Sequence, residues 1–148
     1  MKNINKIEKL DADLSVPGSK SYTQRAMIVA AMAEGVSHLR GCLDSEDTRL
    51  VAEALRALGV DVGTFGDDTI VRGTGGLFQA PREALHMGNN GTGMRFLTAV
   101  TSIGKGPVII DGDPRLRERP VKVLVDAVNA AGGNCKTAAG DGYPPVIH

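Results

Sequence analysis

The sequence predicts an α/β fold made of two successive β-α-β-α-β-β units, and three observations lead there. Apolar residues switch along the chain between period-two and helical spacing, so short strands and helices take turns. Landmarks recur at an offset near seventy residues: Gly35 before VSHLRG answers to Gly106 before PVIIDG, and ALGVDV answers to AAGGNC. A period of that size marks duplication of a whole supersecondary unit. Finally, 19 glycines and only 3% aromatic residues suit a core of Val, Leu, Ile, Ala and Met threaded by many tight turns.

The first unit spans about residues 12–76. Lys6 to Val16 alternates as a strand, Pro17–Gly18 turns the chain, and AMIVAAMAEG continues a helix that ends at Gly35. VSHLRGCL reads as the second strand. SEDTRLVAEALRALG follows as an amphipathic helix capped by Asp44 or Ser45, with Leu50, Ala54, Leu55 and Leu58 on one face and Gly59 at its end. VDVGTF and TIVRGT pair as a hairpin across Gly66–Asp67–Asp68.

The second unit, about residues 82–148, repeats that order. EALHMG is a short strand, GNNGTGMR a glycine-rich turn into the helix FLTAVTSIG, and PVIIDGD a strand. RPVKVLVDAVNAAGG is a helix with Pro120 at or near its first turn, where a missing N–H costs nothing. NCKTAA and PPVIH close the unit as a strand pair around Gly140–Asp141–Gly142. Each unit is an open layer with an apolar helix side that needs covering. The 148 residues are therefore expected to be a piece of a longer protein, able to self-associate through uncovered apolar surface.

Composition excludes several classes of function. Seventeen basic and 17 acidic side chains cancel, which argues against a mainly electrostatic nucleic-acid or membrane-surface binder. With no Trp, base-stacking platforms are unexpected too. The N-terminal MKNINKIEKLDADL lacks the apolar core of a signal peptide, and no apolar run reaches membrane-spanning length. Cys42 and Cys135 stand far apart, without CxxC or a His at ligand spacing, so they read as reduced thiols of a cytoplasmic protein and no metal is expected.

Three stretches carry candidate chemistry. In VPGSKSYTQR, Lys20, Ser21 and Arg25 sit where a strand turns into a helix. Free N–H groups, the positive end of the dipole and full cationic charges there suit an anionic ligand. It is not a P-loop: Ser19 separates Gly18 from Lys20 and the earlier glycine is missing. GNNGTGMR is the equivalent turn of the second unit, with glycines that let a ligand approach the backbone, Thr92 as a cap or donor, and Arg95 one turn on. DPRLRERP puts Arg115, Arg117 and Arg119 within five residues, a supply of planar forks for carboxylate or phosphate. Each taken alone also reads as ordinary structure: solvated cations, a tight turn, a charged loop.

In this order and on these elements, the three strings resemble the enolpyruvyl transferase family, in its shikimate-phosphate branch. LSVPGSKSYTQRA is similar to that family's GSKS-x-[ST]-x-R-A segment, GNNGTGMR to its GN-x-G-T-x-M-R signature, and PRLRERP to its R-x-[KR]-E-R-P segment. The resemblance implies an inside-out α/β barrel-like fold whose domains each hold three such units. Residues 1–148 would then be a partial N-terminal domain with two of them, and Met1 to Asp11 would cross toward the other domain. The implied reaction moves the enolpyruvyl group of phosphoenolpyruvate to the 5-hydroxyl of shikimate-3-phosphate and releases phosphate, with no cofactor or metal.

Residue by residue, the resemblance implies that Lys20 touches both substrates and that Ser21 and Arg25 hold shikimate-3-phosphate. Gly91 and Arg119 would bind phosphoenolpyruvate, Asp47 and Asn89 would orient the lysine, and Thr92 and Arg95 would support the loop. Asn90 and Phe96 depart from the residues frequent at those places. The acid–base groups would lie outside this sequence, so the isolated chain is expected to be inactive; the parent enzyme would be a cytoplasmic monomer. Two alternatives stand beside this reading. The sister enzyme acting on UDP-N-acetylglucosamine would carry Lys-Asn after the first turn and a Cys in the second unit's loop, which this chain lacks. A noncatalytic anion-binding or interaction module is the other.

Overall fold

Ser19 starts the first helix among the described residues: in extended conformation, its Oγ accepts the N–H of Tyr22 and caps α1 (Lys20–Met32). The computed structural model describes residue 6, residues 8–65 and residues 68–148. After α1 come β1 (Glu34–Arg40), α2 (Glu46–Ala57), β2 (Asp61–Phe65) and β3 (Asp68–Thr74). β3 pairs antiparallel with both neighbours, giving the sheet order β1-β3-β2. Ser45, not Asp44, caps α2, in a reciprocal box with Thr48.

The second half holds β4 (Leu85–His86), α3 (Gly91–Thr101), β5 (Ile109–Asp111), α4 (Pro114–Arg117), α5 (Lys122–Ala130), β6 (Lys136–Thr137) and β7 (Val146–Ile147). β4 and β5 are parallel, β7 is antiparallel to both β5 and β6, and the order is β4-β5-β7-β6. Among the described residues, the first sheet has this order without a leading strand. Helices α1, α2 and α3 touch one another, and their inner faces supply Ile28, Val51, Leu55, Met94 and Leu97 to one continuous core. The helices therefore meet in the middle, with the two sheets outside them.

Several expectations are corrected. The described residues of Lys6–Val16 contain no strand, and Leu10, Leu14 and Val16 are exposed; alternation makes a strand only where an edge receives it. The expected crossing of Met1 to Asp11 falls partly outside the described residues, as does the hairpin turn at 66 and 67, while Asp68 already pairs with Phe65. α1 ends at Met32 rather than Gly35. There the chain turns outward through Ala33, and Gly73 of β3 packs so closely on the carbonyls of Ala30 and Ala33 that a Cβ would overlap both. α3 begins at Gly91, inside the glycine-rich string, because Asn90 caps it. DPRLRERP lies between a strand and a helix as expected but holds a helical turn of its own, α4, opened by Pro114, while Pro120 stands just before α5, whose cap is Val121.

Candidate functional site

Thr23 determines how α1 meets α2. Its buried Oγ1 accepts the N–H of Leu43 at 2.9 Å, which fixes the connection Gly41–Ser45 against the helix. Gly18 lies so close to the Gly41 carbonyl that a side chain there would collide with it. With that loop fixed, the first turn of α2 delivers Asp47 to the start of α1, and Lys20 Nζ stands 2.6 Å from Asp47 Oδ2. The lysine side chain keeps 49% of its surface in solvent, so it is oriented and still available to an anion. Ser21 is partly buried beside it.

The glycine-rich turn and the arginine-rich turn are joined through backbone. Met87 N–H donates to Asp111 O and Asp113 N–H to Gly88 O, each at 2.8 Å, continuing the β4–β5 pairing past its ends. Gly112 approaches the Gly88 carbonyl too closely for any Cβ. The three arginines then part company. Arg115 pairs with Glu118 at 3.4 Å, and Arg117 donates from Nε to Asp111 at 2.9 Å. Arg119 alone of the three turns to the glycine-rich string: its Nη2 donates to Asn89 Oδ1 at 3.0 Å, and a Cβ on Gly91 would lie 2.6 Å from its Nη1. Arg117 holds the Asp111 carboxyl below its usual range, chiefly through that hydrogen bond. Arg117 is therefore occupied in holding the turn, and Arg119 carries the exposed fork.

Arg95, in the first turns of α3, donates from Nη2 to Pro120 O at 2.8 Å and so secures the segment following Arg119. Thr92 lies partly buried in the same turn. Arg25 extends from α1 toward α3, its guanidinium carbon 5.5 Å from the Tyr22 ring centre and 5.7 Å from that of Phe96. Lys20 with Asp47, and Asn89 with Gly91 and Arg119, thus form two groups. Asn90 connects them: its Nδ2 donates to the Asp47 carbonyl and its Oδ1 accepts Gly93 N–H, both at 2.9 Å.

Sequence reasoning gave Asn90 no role, because its partner lies 43 residues away and no local pattern marks the bond. A cleft of about 600 Å³ lined by Met27, Cys42, Arg49 and Arg56 contains none of these anion-facing residues. No group of acidic, His or Cys residues suited to a metal occurs among the described residues, and no described helix is long and apolar enough to cross a membrane.

The family model for EPSP synthase (3-phosphoshikimate 1-carboxyvinyltransferase) matches residues 4–148. The chain belongs to the EPSP synthase family. It is 42% identical over 144 residues to the 3-phosphoshikimate 1-carboxyvinyltransferase of Methanospirillum hungatei, a match that takes in 97% of this chain and 34% of that protein. The namesake from Pseudomonas savastanoi pv. phaseolicola is 47% identical over 133 residues, 90% of this chain and 31% of its own length. The solved EPSP synthase from Acinetobacter baumannii superposes with a TM-score of 0.84 at 34% identity, over 90% of this chain and 31% of that one. The chain thus spans about a third of the length of these EPSP synthase relatives, and the α/β architecture is theirs.

Proposed function

We propose that the chain supplies the N-terminal part of a 3-phosphoshikimate 1-carboxyvinyltransferase, corresponding to two repeat units of one domain. The reaction transfers the enolpyruvyl group of phosphoenolpyruvate to the 5-hydroxyl of shikimate-3-phosphate, in the biosynthesis of chorismate and the aromatic amino acids. One observation carries the reading. Three motifs spread over a hundred residues are linked by direct contacts, Lys20 to Asp47, Asp47 to Asn90, and Gly91 and Asn89 to Arg119.

In the proposed reaction the 5-hydroxyl gives up its proton as its oxygen adds to C2 of phosphoenolpyruvate, and the C2–C3 double bond opens as C3 gains a proton. The tetrahedral adduct then loses phosphate and a C3 proton, which restores the double bond. Lys20 faces both substrates; Ser21 and Arg25 hold shikimate-3-phosphate; Gly91, whose missing side chain leaves the Arg119 fork its place at the start of α3, and Arg119 itself hold phosphoenolpyruvate. Asp47 orients Lys20; Asn89, expected from the resemblance to orient that lysine as well, is bonded to Arg119 and orients that cation instead, and Thr92 and Arg95 support the turn. Fixed positive charge at both anions is electrostatic preorganisation, and it requires neither cofactor nor metal. Proton transfer is assigned to groups in the length that the relatives have beyond the matched region. On this reading the 148 residues alone bind weakly and do not turn over, and the whole enzyme is a cytoplasmic monomer.

Phosphate release by the full reading frame, supplied with both substrates, tests the proposal; no release above background refutes it. Lys20→Met in that enzyme is expected to lower kcat/KM by on the order of a hundredfold or more. A loss under threefold would remove Lys20 from the centre of the site.

A further inference from the structure

We propose that Asn90 is a positioning residue that holds the Gly91 end of α3 in register with the Lys20–Asp47 pair. The inference rests on the reading of these residues as the substrate site and adds a member which the motif leaves free. Asn90 is 1% exposed, and both ends of its amide are used: Oδ1 caps α3 at Gly93 N–H, and Nδ2 donates to the main-chain carbonyl of Asp47. The carboxylate of that same Asp47 holds Lys20. One buried side chain therefore ties the first turn of α3 to the residue that aims the lysine. A buried amide with both ends paired is costly to disturb, which makes the connection stiff.

Gly93 makes the arrangement possible. A Cβ there would stand 2.6 Å from Asn90 Nδ2 and 2.8 Å from both Met87 Cε and Val51 Cγ2. Asn90 and Gly93 fill the two variable positions of GN-x-G-T-x-M-R, and here they act as a matched pair: an amide that bridges, and a glycine that leaves it space.

Asn90→Asp separates positioning from folding. The carboxylate still accepts Gly93 N–H and remains a good helix cap, but it cannot donate to Asp47 O. Gly93→Ala reaches the same bond from the other side, leaving Asn90 chemically intact. The 148-residue chain, labelled with 15N, is compared with both variants, with Asn90→Ala, and with Val128→Ala as a core change away from the site. Without ligand, Asn90→Asp is expected to keep Gly93 N–H slow to exchange, whereas Asn90→Ala loses that protection. Both Asn90→Asp and Gly93→Ala should move the Lys20 and Asp47 resonances in the same direction.

Titrated with phosphoenolpyruvate, each is expected to bind about tenfold more weakly than the parent, the worth of one lost hydrogen bond to a buried amide. Val128→Ala should lower the melting temperature and leave that affinity unchanged. Unmoved Lys20 and Asp47 resonances, or affinity within twofold of the parent in both variants, would overturn the proposal. If those resonances move but the parent itself ignores phosphoenolpyruvate, the register stands and the substrate reading falls.

Discussion

Arg25 shows how a cation can be kept available without being consumed by an ion pair. Its guanidinium lies near the rings of both Tyr22, on its own helix, and Phe96, on α3, so its position is set by π faces, and its N–H groups have no hydrogen-bond partner among the described residues. Phe96→Leu removes the cross-helix ring and keeps an apolar side chain. It is expected to weaken shikimate-3-phosphate binding by about two- to fivefold, the range of an exposed cation–π contact; calorimetric titration of parent and variant checks this, and equal affinities refute it. One turn after Lys20, Gln24 is wholly buried and neither amide atom has a hydrogen-bond partner among the described residues. An apolar side chain of similar shape avoids that cost, so Gln24→Met is expected to raise stability by roughly 1–3 kcal/mol. Urea unfolding measures it, and a lower midpoint would mean the amide serves the fold. Residues of both kinds were only half legible. The motif strings marked Lys20, Arg25 and Arg119 as cations, but the distribution of partners among Arg115, Arg117 and Arg119 follows from where α4 places them.

Among the elements, legibility tracked local signals. Asp44 or Ser45 as a cap before an amphipathic run predicts α2, and alternation on either side of a short polar turn predicts the β2–β3 hairpin; both elements are present, with Ser45 as the cap. The strand over Lys6–Val16 had the same local signal but lacks a pairing edge, and α4 had no signal because one turn carries no periodicity. α4 depends on Asp111, which receives the Arg117 fork and is titrated below its ordinary value by it. A carboxyl whose folded pKa lies below its unfolded value stabilises the fold above the unfolded pKa, near 3.9 for Asp, and that contribution is lost as pH falls through the lower folded value. Asp111→Asn is therefore expected to destabilise the protein at neutral pH and to lie closer to the parent at the acid end of the titration. A stability difference independent of pH between neutral and about pH 3 would show that the carboxyl does not hold the turn. The exposed pair Asp44–Arg49 has comparable geometry at 2.6 Å, but solvent on all sides leaves it little influence.

For the whole molecule, the distribution of apolar surface matters more than its amount. Helices α1, α2 and α3 fill the centre, yet Val29 on α1, Ile103 after α3 and Val123 on α5 are exposed, as is Val36 on β1. β1 is also a sheet edge: it pairs with β3 on one side and with no described residue on the other. An open edge beside apolar side chains is a template for a further chain. In relatives about three times as long, other parts of the protein are available to cover such surface. For the 148 residues by themselves, the expectation is concentration-dependent self-association. Sedimentation velocity over the micromolar to millimolar range should show the average mass rising, and the double variant Val29→Lys, Val36→Lys should return it toward 15.5 kDa. Lysine at an edge strand and on an exposed helix face opposes pairing without entering the core, so melting temperature should change little. A parent chain that stays monomeric across the whole range would mean that the exposed side chains are too scattered to act as a surface.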